Sequence, residues 1–523
     1  MFKRSVSIGR ALMRVKFFLS TCAFYLGRIP LAEAATYYVG PNATENAPGT
    51  TRDAPATPTG VLAKVAAGDV VVFLDGVYTQ PLALTRSGAA GAPITLRADD
   101  GVVPVLRGPS SGDADGVSAN ADVSHYVIEG LWFESWGTGG VGLDWNDSVS
   151  DITVRYCVAD SNLRNGFSPY YAANVTLEYN IASRNGWGPD SWSSNINVFA
   201  VRGSNNVVRG NVAFHGVDTS EGQSDGNGFI VDLTIDQGAV LLENNVAFMN
   251  GGACIAVTDS GNTQLVGNTC YSNSRRAADY MDEFNLGNTC REGLVAEVPL
   301  NARPYTFSNL VLRNNVAIPT AAGKDGVNTY STSPCGGGTT YTSEGNYIQR
   351  VDAASLFENP AAGDLRPRAG SPLIDKVTPG ATSKDIGFDP KCIKVETDQS
   401  KKKYDYWTFA PDLAYIRSIG GIRRCFNPLS RPLGTSHEIG AYELGSGVSA
   451  GGAGNVGGGG GNSAQAGGAS ADDGGCSCRT VVRTGSNSGW LAGFLTLGLA
   501  AERRRRRKAR APCAMVAGTH HAR

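Results

Sequence analysis

Sustained helical periodicity is missing from residues 120–320 of this 523-residue chain, which excludes a helical bundle for its middle. Positive charge is scarce in the body. Residues 1–34 hold six Lys/Arg and one acid, and residues 502–523 hold eight and one. With these set aside, residues 35–501 carry 32 basic and 45 acidic side chains, a net charge of −13. Such a surface counts against nucleic acid as a partner. It also counts against a polyanionic substrate unless metal ions bridge the charges. Lysine is absent between Lys64 and Lys324, and residues 35–501 contain three histidines, His125, His215 and His437. No cysteine spacing reads as a zinc site. The apolar stretch from Trp490 to Ala501 is about 12 residues, short for a membrane-spanning helix.

What the chain does have is a repeat. Asn180, Asn211, Asn245, Asn268 and Asn315 each stand three residues after an aliphatic residue (Leu177, Val208, Leu242, Leu265, Leu312) and two before a small one (Ala182, Ala213, Ala247, Cys270, Ala317). Cys157 fills the same slot one unit earlier, and Leu131 opens the series. Successive slots are 26, 23, 31, 34, 23 and 47 residues apart, a base unit near 23 with insertions. Units this short cannot bury a core alone and must stack. Phe167, Val198 and Ile255, each thirteen residues before a slot asparagine, and Phe229, sixteen before its own, suggest a second inward row.

Short β-rich segments bounded by Gly, Asn, Ser and Asp separate the slots. Together these features predict an all-β solenoid, a single right-handed parallel β-helix, with an inward ladder of asparagine amides bonded along its axis.

The ends read as addresses. Five basic residues from Lys3 to Lys16, the apolar run Phe17 to Leu26 and the sequence Ala32-Glu33-Ala34 predict a signal peptide over 1–34. A β-helix domain over 35–444 and a flexible Gly/Ser-rich linker over 445–475 follow. The order Cys476-Ser477-Cys478, apolar segment, then Arg503 to Lys508 resembles the myxobacterial sorting signal called MYXO-CTERM. That resemblance assigns a sorting segment to 476–510 and implies an exported protein anchored at the cell surface or outer membrane.

Residues 36–108, from TYYVGPNATENAPG to ITLRADDGVVPVLRG, resemble the opening of secreted β-helix proteins of the pectate-lyase superfamily, especially family nine polysaccharide lyases. The resemblance implies a helix at about Thr57 to Ala66 that caps the open end of the solenoid. Residues 356–444 resemble the closing segment of surface-anchored β-helix proteins and read as the last part of the same solenoid. Cys290 with Cys335 and Cys392 with Cys425 are plausible loop staples, whereas Cys157, Cys254 and Cys270 read as buried thiols. Lys401 to Lys403 reads as a solvated loop.

The densest polar stretch is Asp218 to Asp236. The family resemblance implies a calcium centre built from an Asp-Gly on one coil and an acidic pair plus a further aspartate on the next. Asp225-Gly226 matches the first element, but the next coil reads Asn250-Gly251-Gly252-Ala253-Cys254. The remaining arrangement is a calcium site gathered from Asp218, Glu221, Asp225 and Asp232, because calcium takes six to eight oxygen ligands. The lysine base that the resemblance implies has no counterpart, which leaves His215, Arg202 and Arg275 as candidate bases for abstracting a proton. Trp187, Trp192 and Tyr170, with Tyr171 and Phe199, are candidates for stacking against sugar rings.

Two readings follow. One is a monomeric surface lyase that cleaves a uronate-containing polysaccharide by calcium-assisted β-elimination. The other is a non-catalytic surface protein that binds glycan or mediates adhesion.

Overall fold

Each coil contributes three short strands, and like strands stack in parallel from coil to coil. The computed structural model describes residues 34–44, 46–119, 122–143, 148–234, 238–276, 281–288, 309–331, 339–377, 384–431 and 436–444. The expected signal (Ala34 apart), linker and sorting segments lie outside the described residues, as do Cys290 and Cys335. Among the described residues the stacks form parallel sheets of nine, eleven and ten strands, here sheets 1, 2 and 3 in the order a coil meets them. One coil runs Asn165–Pro169, Thr176–Glu178, Ile181–Ser183. The next runs Ile196–Phe199, Asn206–Arg209, Val212–Phe214, with Phe167 opposite Ile196, Leu177 opposite Val208 and Ala182 opposite Ala213. The fold is a right-handed parallel β-helix.

The asparagine slot makes the corner between sheets 2 and 3. Asn180, Asn211, Asn245, Asn268 and Asn315 are fully or almost fully buried. Asn180 Oδ1 accepts from the backbone N–H of Cys157 (2.9 Å), and each later Oδ1 accepts from both the backbone N–H and the Nδ2 of the preceding rung; Asn211 Oδ1 lies 2.9 and 3.0 Å from these atoms of Asn180. Each Nδ2 also donates to the carbonyl three residues before the preceding slot, as Asn180 does to Val154 (2.9 Å). The ladder runs on one rung beyond the predicted series, to Asn346. The residue before the slot is left-handed in successive coils: Gly130, Tyr156, Tyr179, Gly210, Asn244, Gly267 and Asn314 all have positive φ. That single-residue bend turns the chain sharply, and the ladder holds it there.

The second inward row differs from its prediction. Its true members are Phe167, Ile196, Phe229, Ile255 and Phe284. Val198 stands two residues out of register and pairs with Val231 instead. The turn between sheets 1 and 2 varies in length, so counting back from the slot loses the register.

A second amide row was not foreseen. Asn162, Asn185, Asn250 and Asn273 stand five residues after successive slots. Asn185 Oδ1 accepts from Asn162 N–H (3.0 Å) and Nδ2 (2.9 Å), and Asn273 serves Asn250 likewise. Gly216 breaks the row, and Asn195 spans the gap from Asn185 (2.8 Å) to Asn250 (2.9 Å). The row ends on buried Glu283, which accepts from both nitrogens of Asn273. Burial pushes the Glu283 carboxyl up to about 8.

Small residues of sheet 3 (Ala159, Ala182, Ala213, Ala247, Ala317) face the lumen, and large ones (Trp132, Val158, Ile181, Val212, Phe214, Val246, Phe248) face outward. An outward apolar face needs cover. The C-terminal segment supplies it, with Leu356, Phe357, Leu365, Ile386, Phe388, Phe409, Phe426 and Tyr442 packed there. Residues 356–444 are therefore not further coils. The last solenoid strands are Thr342–Glu344 and Tyr347–Ile348. The chain then doubles back as a strap along sheet 3, reaching the early coils where Arg417 meets Asp75 (3.2 Å).

The strap carries the expected Cys392–Cys425 disulfide. Cys157 is a free buried thiol, also as expected. Cys254 and Cys270 are not thiols: both point into the lumen, from sheets 1 and 3, and form a disulfide. The N-terminal helix is Pro58–Leu62, shorter than predicted, with Thr57 as its cap and Val61 and Leu62 in the core. Lys403 is not fully solvated, since its ammonium lies over the Trp187 ring.

Candidate functional site

The three outer faces have different fates. Sheet 3 is under the strap. Sheet 2 carries a column of alternating charge, Glu129, Arg155, Glu178, Arg209 and Glu243, joined by contacts of 2.6, 3.9, 3.3 and 3.4 Å. A cavity of about 310 Å³ beside this column is lined by Glu178, Arg209 and Glu243, already paired with each other, and by Lys384 and Asp385. Sheet 1 alternates inward apolar residues with mixed outward ones, and between Asn197 and Asn285 the outward positions are the apolar Ile230 and Ala256. Its outer face shows Ser168, Asn197, Asp232, Thr258, Asn285 and Asn328. Asn328 Nδ2 donates to Asn285 Oδ1 (2.9 Å), and Thr258 Oγ1 meets the Tyr330 hydroxyl (3.3 Å).

Aromatics stand on both sides of this floor. Tyr170 and Tyr171, just after the strand Asn165–Pro169, pack edge-on to Phe199 (5.3 and 5.8 Å). Trp192, in the long turn before sheet 1, is 44 % exposed and lies against Gly222. Trp187, in the same turn, is half-buried and ties its Nε1 to Ser161 O (3.0 Å). Tyr170 and Trp192 are thus placed to touch a long ligand, whereas Trp187 is occupied by Lys403 and its own hydrogen bond.

The four predicted metal ligands do not gather. Asp218 is buried, and its two oxygens accept from Ser220 N–H (2.7 Å) and Asp225 N–H (2.8 Å), closing their own turn. Glu221 is exposed at the tip of that turn. Asp225 is half-buried beside Asn227 Nδ2 (3.4 Å). Asp232 lies at the far end of the strand Phe229–Asp232, about 10 Å further along at strand rise.

The next coil offers no carboxylate at this level, for a steric reason. A Cβ at Gly252 would fall 2.3 Å from Asp225 O, and one at Gly251 2.9 Å from Gly216 O. Ile230, Ala253, Ala256 and Met281 form an apolar cluster just beyond. The acidic turn therefore does not fit a calcium ion. Among the described residues, one group of three potential metal ligands converges, Cys254, Cys270 and Glu283, and its two sulfurs are already bonded to each other.

The candidate bases are also dispersed. His215 is completely buried. Its Nδ1–H donates to Met249 O (3.0 Å), and its Nε2 accepts from the N–H groups of Thr408 and Phe409 (both 3.0 Å). Burial pushes its pKa down to about 3. His215 pins the strap to the solenoid and is not a base facing substrate. Its partners lie 193 and 194 residues away, beyond the reach of local pattern. Arg202, in the turn leaving sheet 1, donates to Tyr171 O (3.0 Å). Arg275, exposed in a turn entering sheet 1, donates to Ser272 Oγ (3.1 Å). The two arginines flank opposite sides of the sheet.

Sequence reasoning missed Asn165, Asn197, Asn285 and Asn328. Their signal is strict alternation within a strand, as in INVF and FNLGN, once the register is known.

Residues 37–264 match the family model described as the Pel9A-like right-handed beta helix region. The chain is similar to pectate lyases. It is 23 % identical to pectate lyase L of Dickeya dadantii (strain 3937) over 385 residues, covering 65 % of this chain and 86 % of that protein. The structure of pectate lyase Pel9A aligns at 17 % identity with a TM-score of 0.42, covering 67 % of this chain and 93 % of that one. A rhamnogalacturonan lyase aligns at 16 % identity with a TM-score of 0.41, covering 67 % and 97 %.

Proposed function

We propose that this protein binds an extended polysaccharide along the outer face of sheet 1, using a polysaccharide-lyase frame to hold the glycan rather than to cleave it with calcium. The observation that carries this reading is the make-up of that face. Amides and hydroxyls stand on both sides of an apolar patch at Ile230 and Ala256, with exposed Trp192 and half-buried Tyr170 and Tyr171 flanking them, and with neither a metal-ligand cluster nor a poised base on that face among the described residues. Sugar hydroxyls match such donors and acceptors, and aromatic rings match the apolar faces of sugars. The reading includes export through residues 1–34, retention at the cell surface through 476–510, and action as a monomer.

The second reading is cleavage by β-elimination, favoured by the similarity to pectate lyase L and the match over residues 37–264. Pectate and rhamnogalacturonan, the glycans in the names of the compared lyases, are the natural probes. The purified body would be mixed with each, and with neutral glycans, in calcium and in chelator. Retarded migration in glycan-containing gels without ultraviolet-absorbing unsaturated product is the expected result. Unsaturated product that depends on calcium would replace this reading with the second, and no binding to any probe would remove both.

A further inference from the structure

One acceptor on the floor of sheet 1 is left open by its own surroundings. Ser194 N–H donates to Asn165 Oδ1 (3.0 Å), which fixes that amide with Nδ2 toward the Tyr170 oxygen (2.8 Å). The Asn197 amide must then turn its Nδ2 toward Asn165 Oδ1 (3.4 Å) and the Tyr170 oxygen (3.2 Å). The opposite orientation would set two oxygens face to face. Asn197 Oδ1 is left buried without a hydrogen-bond partner among the described residues, on a side chain 8 % exposed. Ile196 and Val198 on either side point into the core, so Asn197 points outward. A buried amide oxygen without a donor is unfavourable until one arrives.

We propose that Asn165, Tyr170 and Asn197 form a sugar subsite in which a hydroxyl of the bound glycan donates to Asn197 Oδ1. This rests on the glycan-binding reading and adds the chemistry of the ring seated there. The group that the ring turns toward this atom is a hydroxyl, not a carboxylate. An amide oxygen accepts and cannot donate, so a uronate carboxylate would meet it as a second acceptor. Asp232 lies on the next strand, opposite Phe199 and two residues along from Asn197, and adds like charge. Asn165 and Tyr170 hold the Asn197 amide in its orientation; they are positioning residues.

The test is calorimetric titration of the full chain with neutral gluco-, manno-, galacto- and xylo-oligosaccharides and with polygalacturonate oligomers. The expected result is binding of a neutral probe, weakened about tenfold in Asn197→Leu and severalfold in Tyr170→Phe. Tyr170→Phe keeps the ring and removes one oxygen, so it decides the matter alone if Asn197→Leu does not fold. A wild-type chain that binds a neutral probe, with folded variants that bind it equally, overturns the subsite and leaves the glycan reading standing. Preference for polygalacturonate over every neutral probe, undiminished in folded Asn197→Leu, overturns the hydroxyl assignment. Binding of no probe by the wild type removes the glycan reading and the subsite with it.

Discussion

Replacing Asn211 with leucine tests the inward ladder where it is most enclosed. Asn211 Oδ1 accepts from Asn180 N–H (2.9 Å) and Nδ2 (3.0 Å), and its own Nδ2 donates to Leu177 O (2.9 Å) and Asn245 Oδ1 (3.0 Å). Leucine has the same branched heavy-atom skeleton and a larger volume, so no cavity term enters and any overpacking adds to the loss. Four hydrogen bonds are lost in a site fully closed to water. The Asn180 backbone N–H is left with no acceptor. At roughly 0.5–1.5 kcal/mol per bond, and more for the orphaned donor, the variant should lose about 3–5 kcal/mol. Asn346 provides the internal comparison. It is the last rung, half-buried, and accepts from Asn315 N–H (2.8 Å) and Nδ2 (2.9 Å). Water can reach that end, so Asn346→Leu should cost about 1 kcal/mol. Urea denaturation followed by far-ultraviolet circular dichroism reads both. Equal losses in the two variants, or a loss under about 0.5 kcal/mol for Asn211→Leu, would refute the burial argument.

Acid should loosen the strap through His215, whose pKa is about 3 in the native state. The unfolded chain takes up this proton below about 6.5 and the native state does not, so the stability is whole above that pH and falls as pH drops toward 3. Relative to His215→Gln, the wild type should lose about 2 kcal/mol between pH 6.5 and 4.5; parallel pH profiles would contradict this. Removing the Cys392–Cys425 disulfide, which spans 33 residues, should destabilise the strap by about 3–4 kcal/mol. Limited proteolysis of the double serine variant should therefore cut first within residues 384–431; cleavage first in the solenoid strands would count against it. Deleting residues 476–523 should release the body into the medium, and a truncated protein still fixed to cells would defeat the sorting assignment.

The ladder was legible because its asparagines combine a fixed local context with a repeating spacing, and both survive insertions elsewhere. The register of sheet 1 was not, because the turns between it and sheet 2 differ in length between coils, and that displaced Val198 by two residues. Without that register, the outward column through Asn197 and Asn285 cannot be seen. The strap had a local clue. Strands such as VAD, IAS and VAF are buried at every position, and a strand buried on both faces needs a cover outside the solenoid. His215, Cys254 and Cys270 could not be assigned from sequence, because their partners are set by three-dimensional stacking. The acidic stretch misled for a similar reason. Four carboxylates within fifteen residues straddle a turn and a strand, and the strand carries Asp232 away from the rest.

Hydroxyl-radical footprinting of the full chain, with and without saturating glycan, tests the central claim most directly, because it reports which face the ligand covers. Protection of Tyr170, Tyr171 and Trp192, with the strap tyrosines Tyr404 and Tyr415 unchanged, is the predicted result. Protection confined to the strap, or to Tyr156 and Tyr179 beside the charged column of sheet 2, would contradict it.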